Sequence, residues 1–145
     1  MSATASVRDG AGFAEVVVPR PVDVVFDYVS DLRHMPTWWP THRSYHRLAG
    51  SGGLRTAYAW VMPHSPLPFG MPIGGITIVT AVERPTRFSY RIISIGLFSQ
   101  MNYTFIGVQG GTRIVLEVPS VLPAFPEHTI PAFDRLAATL TASIA

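Results

Sequence analysis

The sequence predicts an α+β fold: an antiparallel sheet drawn from the middle of the chain, two short helices near its start and one amphipathic helix at its end. Three observations carry this expectation. Val16 to Pro40 runs strand, proline break, helix and aromatic pair; Thr41 to Val118 alternates apolar and polar residues between Gly and Pro turns; and from Thr129 to Ile144 the apolar spacing becomes helical.

The first strand is Phe13 to Val18, ending in the β-branched run Val16-Val17-Val18, which Pro19 stops. Pro21 suits a first helical position, where the missing N–H costs nothing and φ is preset. Val22, Val25, Phe26 and Val29 then recur at helical spacing as one stripe, with Asp23 complementing the helix dipole. Ser30 or Asp31 can cap a second short helix, Leu32 to Met35, which should end there because Pro36 disfavours an α conformation in its predecessor. Trp38 and Trp39 follow directly.

Thr41 to Leu48 alternates as a second strand, with Arg43, Tyr45 and Arg47 on one face and His42, Ser44, His46 and Leu48 on the other. If arginines take the wet face, His42 and His46 point inward. Leu54 to Met62 places Tyr58, Trp60 and Met62 opposite Arg55, and the intervening Pro63 to Gly75 is a proline- and glycine-rich loop containing His64. Ile76 to Glu83 pairs with Phe88 to Ser94, putting Phe88, Tyr90 and Ile92 on one face. Leu97 to Val108 and Thr112 to Val118 form the last hairpin across Gln109-Gly110-Gly111, with Met101, Tyr103, Phe105 and Leu116 inward. In the closing helix Ile130, Phe133, Leu136, Ala137, Leu140 and Ile144 share a face; Thr129 is its expected cap, and Pro131 falls in its first turn.

A chain of 145 residues suits one domain with a real core, expected here over 13–145 behind a flexible N-terminus at 1–12. Apolar residues make up 48% and charged residues 14%, an apolar excess that calls for a ligand cavity or a subunit interface, and no apolar run approaches the roughly 20 residues of a membrane span. The opening residues carry no secretion signal, so a cytoplasmic location is expected. The absence of cysteine removes disulfides and thiolate chemistry, and the absence of lysine removes Schiff-base catalysis and covalent pyridoxal phosphate. The basic residues are all arginine and are scattered, which argues against nucleic acid as a partner.

The strand, Pro21, the segment Val22 to Asp31 and the Trp-rich turn Pro36 to Pro40 together resemble the opening signature of the START-like helix-grip superfamily, in its polyketide cyclase/dehydrase branch. The resemblance implies a helix-grip (START/Bet v 1-like) fold, in which a curved antiparallel sheet of about seven strands wraps the C-terminal helix around a ligand cavity. It implies a hydrophobic, oxygen-bearing small molecule as partner, polyketide-like or lipid, and suggests cofactor-independent cyclisation or dehydration in secondary metabolism. The alternative within the same fold is a carrier or sensor of a lipid, quinone or similar metabolite. A third reading gives the apolar face of the closing helix to a partner, including a homodimer.

The candidate residues follow from the alternation. His42 and His46 are the expected proton shuttles, since imidazole titrates near neutrality, and Tyr103, with Tyr58 and Tyr90, would donate hydrogen bonds to a developing enolate. Trp39, Tyr58, Trp60, Met62, His64, Phe88, Tyr90, Met101, Phe105, Leu116, Phe133 and Leu136 are the expected ligand contacts. No metal site is expected: His42 and His46 share a face, but a third ligand at clear spacing is missing. No cofactor is expected either, because the sequence has no phosphate-binding glycine loop.

Overall fold

The computed structural model describes residues 3–39, 44–62, 71–94, 97–121, 123 and 125–142. Eight strands form one antiparallel sheet: β1 (Thr4–Arg8), β2 (Ala11–Val18), β3 (Ser44–Ala49), β4 (Ala57–Met62), β5 (Ile73–Glu83), β6 (Arg87–Ser94), β7 (Leu97–Val108) and β8 (Gly111–Val118). Their spatial order is β1-β2-β8-β7-β6-β5-β4-β3, so the chain enters at one edge, crosses to the other and returns by successive hairpins. Helix α1 (Val22–Ser30), a 3-10 turn (Leu32–His34), helix α2 (Met35–Trp38) and the C-terminal helix α3 (Phe125–Ala142) cover the inner face.

The predicted α1 stripe holds. Val25, Phe26 and Val29 are buried, and the Phe26 ring meets Phe105 and Phe88 edge-on at centroid distances of 5.2 and 6.4 Å. Asp31 accepts a hydrogen bond from Arg33 N at 3.1 Å and so caps the 3-10 turn. The chain does not stop at Met35, however, because Pro36 enters α2 at its first turn, where no helical N–H is required. Trp38 packs on Phe133 of α3, with centroids 6.1 Å apart, so it anchors helix to helix rather than helix to sheet.

Four further expectations are corrected. Residues 4–8, expected to be flexible, form β1, the eighth strand; it pairs with β2 from Thr4↔Glu15 to Arg8↔Ala11 across an Asp9-Gly10 turn whose φ angles are both positive. Ala3 N donates to Asp134 Oδ1 at 2.7 Å and ties this strand to α3. Gly74 and Gly75 belong to β5, not to a loop. Helix α3 begins at Phe125, which puts Pro131 in its interior and leaves Thr129 buried on the inner face rather than capping the helix. The fourth correction concerns β3 and decides the site.

Candidate functional site

Cross-strand pairs in a sheet share a face. Tyr45 stands opposite Trp60, and Arg47 opposite Tyr58. Since Tyr58 and Trp60 are buried inward, Tyr45 and Arg47 are on the inner face and His46 is on the outer one, where it is exposed. The expectation that His46 points inward is therefore wrong. It rested on arginine taking the wet face, but at an edge strand the long aliphatic stem lets Arg47 leave the inner face and still carry its guanidinium to water. His42 and His64 lie outside the described residues, as does the side chain of Met62.

The other predicted contacts gather as expected. Tyr58, Trp60, Phe88, Tyr90, Met101, Tyr103, Phe105 and Leu116 are buried on the inner face of the sheet, and Phe133 and Leu136 are buried on α3. Trp39 is half-buried and tilted against Trp38, with ring centroids 5.5 Å apart. The two halves of the face differ: α1 contacts β7 and β8, α3 contacts β1 and β2, and the 3-10 turn and α2 contact β3.

Hydroxyl groups distinguish this face from an ordinary aromatic core. The Tyr90 and Tyr103 hydroxyls lie 3.2 Å apart and share one buried hydrogen bond. Their rings are 5.9 Å apart, and Phe88 and Phe105 continue the aromatic contacts at 5.7 Å from Tyr90 and 6.3 Å from Tyr103. On the neighbouring strands Tyr45 approaches Tyr58 at 6.3 Å, and Thr77 stands opposite Tyr58 with its hydroxyl buried beside that of Tyr45. Tyr45, Arg47 and Thr77 were missed by sequence reasoning. The signal for the first two was the pairing itself, since any hairpin that placed Trp60 inward would have brought Tyr45 with it.

Burial governs the chemistry of these hydroxyls. It pushes the acidities of Tyr45, Tyr90 and Tyr103 far toward the protonated side, and the charge each would place beside a neighbouring tyrosine reinforces the effect. They are neutral at physiological pH and act as hydrogen-bond donors and acceptors, not as bases. Burial is also the main cause of the smaller upward shift at Tyr58, followed by the nearby Asp31 charge; Arg47 acts in the opposite direction.

The remaining titratable groups lie elsewhere. Arg55, Arg87 and Arg91 are exposed, as are Glu15, Glu83 and Glu117. His34 is held by its Nδ1 contact to Tyr28 O at 2.8 Å and by ring stacking on Tyr28 at 4.1 Å. Asp27 joins Arg84 across the surface through two hydrogen bonds of 2.9 and 2.8 Å. Among the described residues no three His, Asp or Glu side chains are grouped to hold a metal ion, and no helix is long and apolar enough to cross a membrane.

Solved structures share the fold over nearly the whole chain. A protein of Rhodobacter sphaeroides superposes with a TM-score of 0.73 at 14% identity, covering 98% of this chain and 99% of its own. Ara h 8.0201 gives 0.68 at 16% identity, with 91% and 97% covered. DynU16, from the dynemicin biosynthetic locus, gives 0.69 at 21% identity, with 94% of this chain matched to 49% of that one. No curated protein matches the chain. The family model described as polyketide cyclase / dehydrase and lipid transport matches residues 13–142. On that match, with the curved sheet and C-terminal helix of the START/Bet v 1-like fold beneath it, the chain belongs to the polyketide cyclase/dehydrase and lipid transport family.

Proposed function

We propose that this protein holds an apolar, oxygen-bearing small molecule against the inner face of the sheet, oriented by neutral tyrosine and threonine hydroxyls. The observation that carries the reading is the convergence of Tyr45, Tyr58, Thr77, Tyr90 and Tyr103 on a face whose buried side chains are mainly aromatic and aliphatic. Buried hydroxyls are costly unless they find partners, and among the described residues none closes a well-aligned hydrogen bond on Thr77 or Tyr58, although Tyr45 and Arg47 lie beside them. A ligand carbonyl or hydroxyl at that point would supply one. Polyketide-like chains and lipids both fit the chemistry, and the family description spans both.

Binding is favoured here over cyclisation. A tyrosine kept protonated by burial can donate to a developing oxyanion, and a pocket can fold a flexible chain into a reactive conformer, which in intramolecular reactions is worth several kcal/mol, up to about 7–11. Neither group removes a proton. Of the two imidazoles expected as proton shuttles, His46 is on the outer face and His42 lies outside the described residues. The family description and the DynU16 fold likeness are what keep that second reading in play.

The test is native mass spectrometry of gently purified protein, followed by extraction and identification of the bound molecule. An intact lipid or quinone supports carriage. A polyketide or its cyclised product, with turnover abolished by His42→Ala, supports the enzyme. A protein that emerges empty, and whose tryptophan fluorescence is unchanged by fatty acids, quinones and aromatic polyketides, overturns the reading.

A further inference from the structure

At the β3 end of the inner face the polar groups change from neutral to charged. Arg47 leaves the same face as the buried Tyr45, Tyr58 and Trp60, and β3 packs against the 3-10 turn that carries Arg33. Arg33 is already committed: its Nε and Nη2 close on Asp31 at 2.9 and 2.8 Å. Arg47 is not. All 9 acidic residues of the sequence lie within the described segments, and none is ion-paired to Arg47. Its guanidinium stands against the Tyr58 hydroxyl and acts on its oxygen, but no described residue closes a well-aligned hydrogen bond on that buried group. Among the described residues Arg47 thus lacks an anionic partner and the Tyr58 O–H lacks an acceptor. With Asp31 neutralised by Arg33, Arg47 is the uncompensated positive charge among the described residues of this rim.

We propose that Arg47 and Tyr58 form a carboxylate subsite at the rim of the inner face, so that the ligand is an amphiphile: an apolar body against the tyrosine-lined sheet and a carboxylate on the guanidinium. The planar fork of arginine matches a carboxylate in two parallel hydrogen bonds, and the tyrosine hydroxyl satisfies a further lone pair. A charge-assisted contact of this kind at a half-covered site is strong enough to dominate the choice between an acid and its ester. The proposal rests on the binding reading above and adds the chemical class of the ligand's head.

Dodecanoate, methyl dodecanoate and dodecanol, titrated at neutral pH by calorimetry, test it. The parent protein is expected to bind dodecanoate about tenfold more tightly than the ester or the alcohol, and to lose that preference as ionic strength rises. Arg47→Met should bring acid and ester within about twofold of each other, mainly by weakening the acid. The double variant Asp31→Asn, Arg33→Met, which removes the pair and leaves the rim charge unchanged, should retain most of the preference, because the Arg33 guanidinium is spent on Asp31. Tyr58→Phe, which conserves shape, should weaken dodecanoate by about threefold to tenfold. Equal affinity of acid and ester in the parent, or a preference that survives Arg47→Met, overturns the subsite and leaves the binding reading intact. Failure of all three probes to bind overturns both. Circular dichroism of each variant confirms the fold; Arg47→Gln, which keeps more of the side chain's polarity, replaces Arg47→Met if that variant is misfolded.

Discussion

Gly75 shows how closely the inner face is fitted at the level of single residues. A Cβ there would lie 2.5 Å from Trp60 Cζ2 and 2.6 Å from Ile93 O, so the indole lies flat on β5 only because the strand has no side chain at that point. Gly75→Ala is expected to move the ring and cost about 1–3 kcal/mol, measured as a lower urea midpoint with a shifted tryptophan emission maximum. The Tyr90 and Tyr103 hydroxyls make a second case, since each is the other's buried partner at 3.2 Å. Either tyrosine changed to phenylalanine leaves one orphaned hydroxyl and should cost about 1–3 kcal/mol; the double variant removes both and should cost less than the two singles combined. A double-mutant cycle of unfolding free energies reads this directly, and strict additivity would mean the pair is not coupled. Most of this face was legible in the sequence, because a period of two leaves only one choice per strand and Tyr58, Tyr90 and Tyr103 each sit two residues from another large apolar side chain. His46 was not. In Ser44 to Ala49 both faces carry one basic or imidazole group, so alternation alone left the orientation open, and only the pairing with Trp60 fixes it.

At the level of elements the misreadings have local causes. β1 was dismissed as a tail although Asp9-Gly10 is a strong two-residue hairpin signal; the strand before it, Thr4 to Arg8, is too short and too weakly apolar to announce itself, and its place depends on the tie from Ala3 to Asp134 far along the chain. Helix α3 was started late because Thr129 read as its cap, with Pro131 in the first turn; the helix in fact holds two prolines, Pro126 and Pro131. The first falls in the initial turn, where proline is tolerated, but the second lies in the helix interior on an exposed position. There it removes the N–H that would bond to Glu127 O. Pro131→Ala is therefore expected to stabilise the protein by about 1–2 kcal/mol, less than the full helix penalty of proline because the unfolded chain regains freedom as well. Thermal unfolding checks the direction, and a lower melting temperature would mean that the helix needs the proline for its packing on β1 and β2.

Across the whole molecule, the composition makes the buried tyrosines unusually easy to observe. The chain has no lysine and no cysteine, and arginine stays charged up to about pH 12, so between about pH 9 and 12 the 5 tyrosines are the side chains that titrate. In the unfolded chain they ionise near the ordinary tyrosine value of 10.0; in the native protein burial holds Tyr45, Tyr90 and Tyr103 protonated well above it. The native state then keeps protons that the unfolded state has released, so stability must fall as pH rises. Their contribution is complete below about pH 10 and is lost above it, at up to about 1.4 kcal/mol per pH unit for each such group. Urea midpoints measured from pH 9 to 12 should therefore fall steeply above about pH 10, and the phenolate absorbance of Tyr45, Tyr90 and Tyr103, isolated by difference from a variant with all three changed to phenylalanine, should rise together with loss of far-UV dichroism rather than ahead of it. Replacing Tyr90 by phenylalanine removes one of the three groups and should make that slope shallower by about a third. Phenolates appearing at their ordinary pH in a still-folded protein would show that water reaches these hydroxyls, and that the inner face is an open pocket whose tyrosines are solvated until a ligand displaces the water.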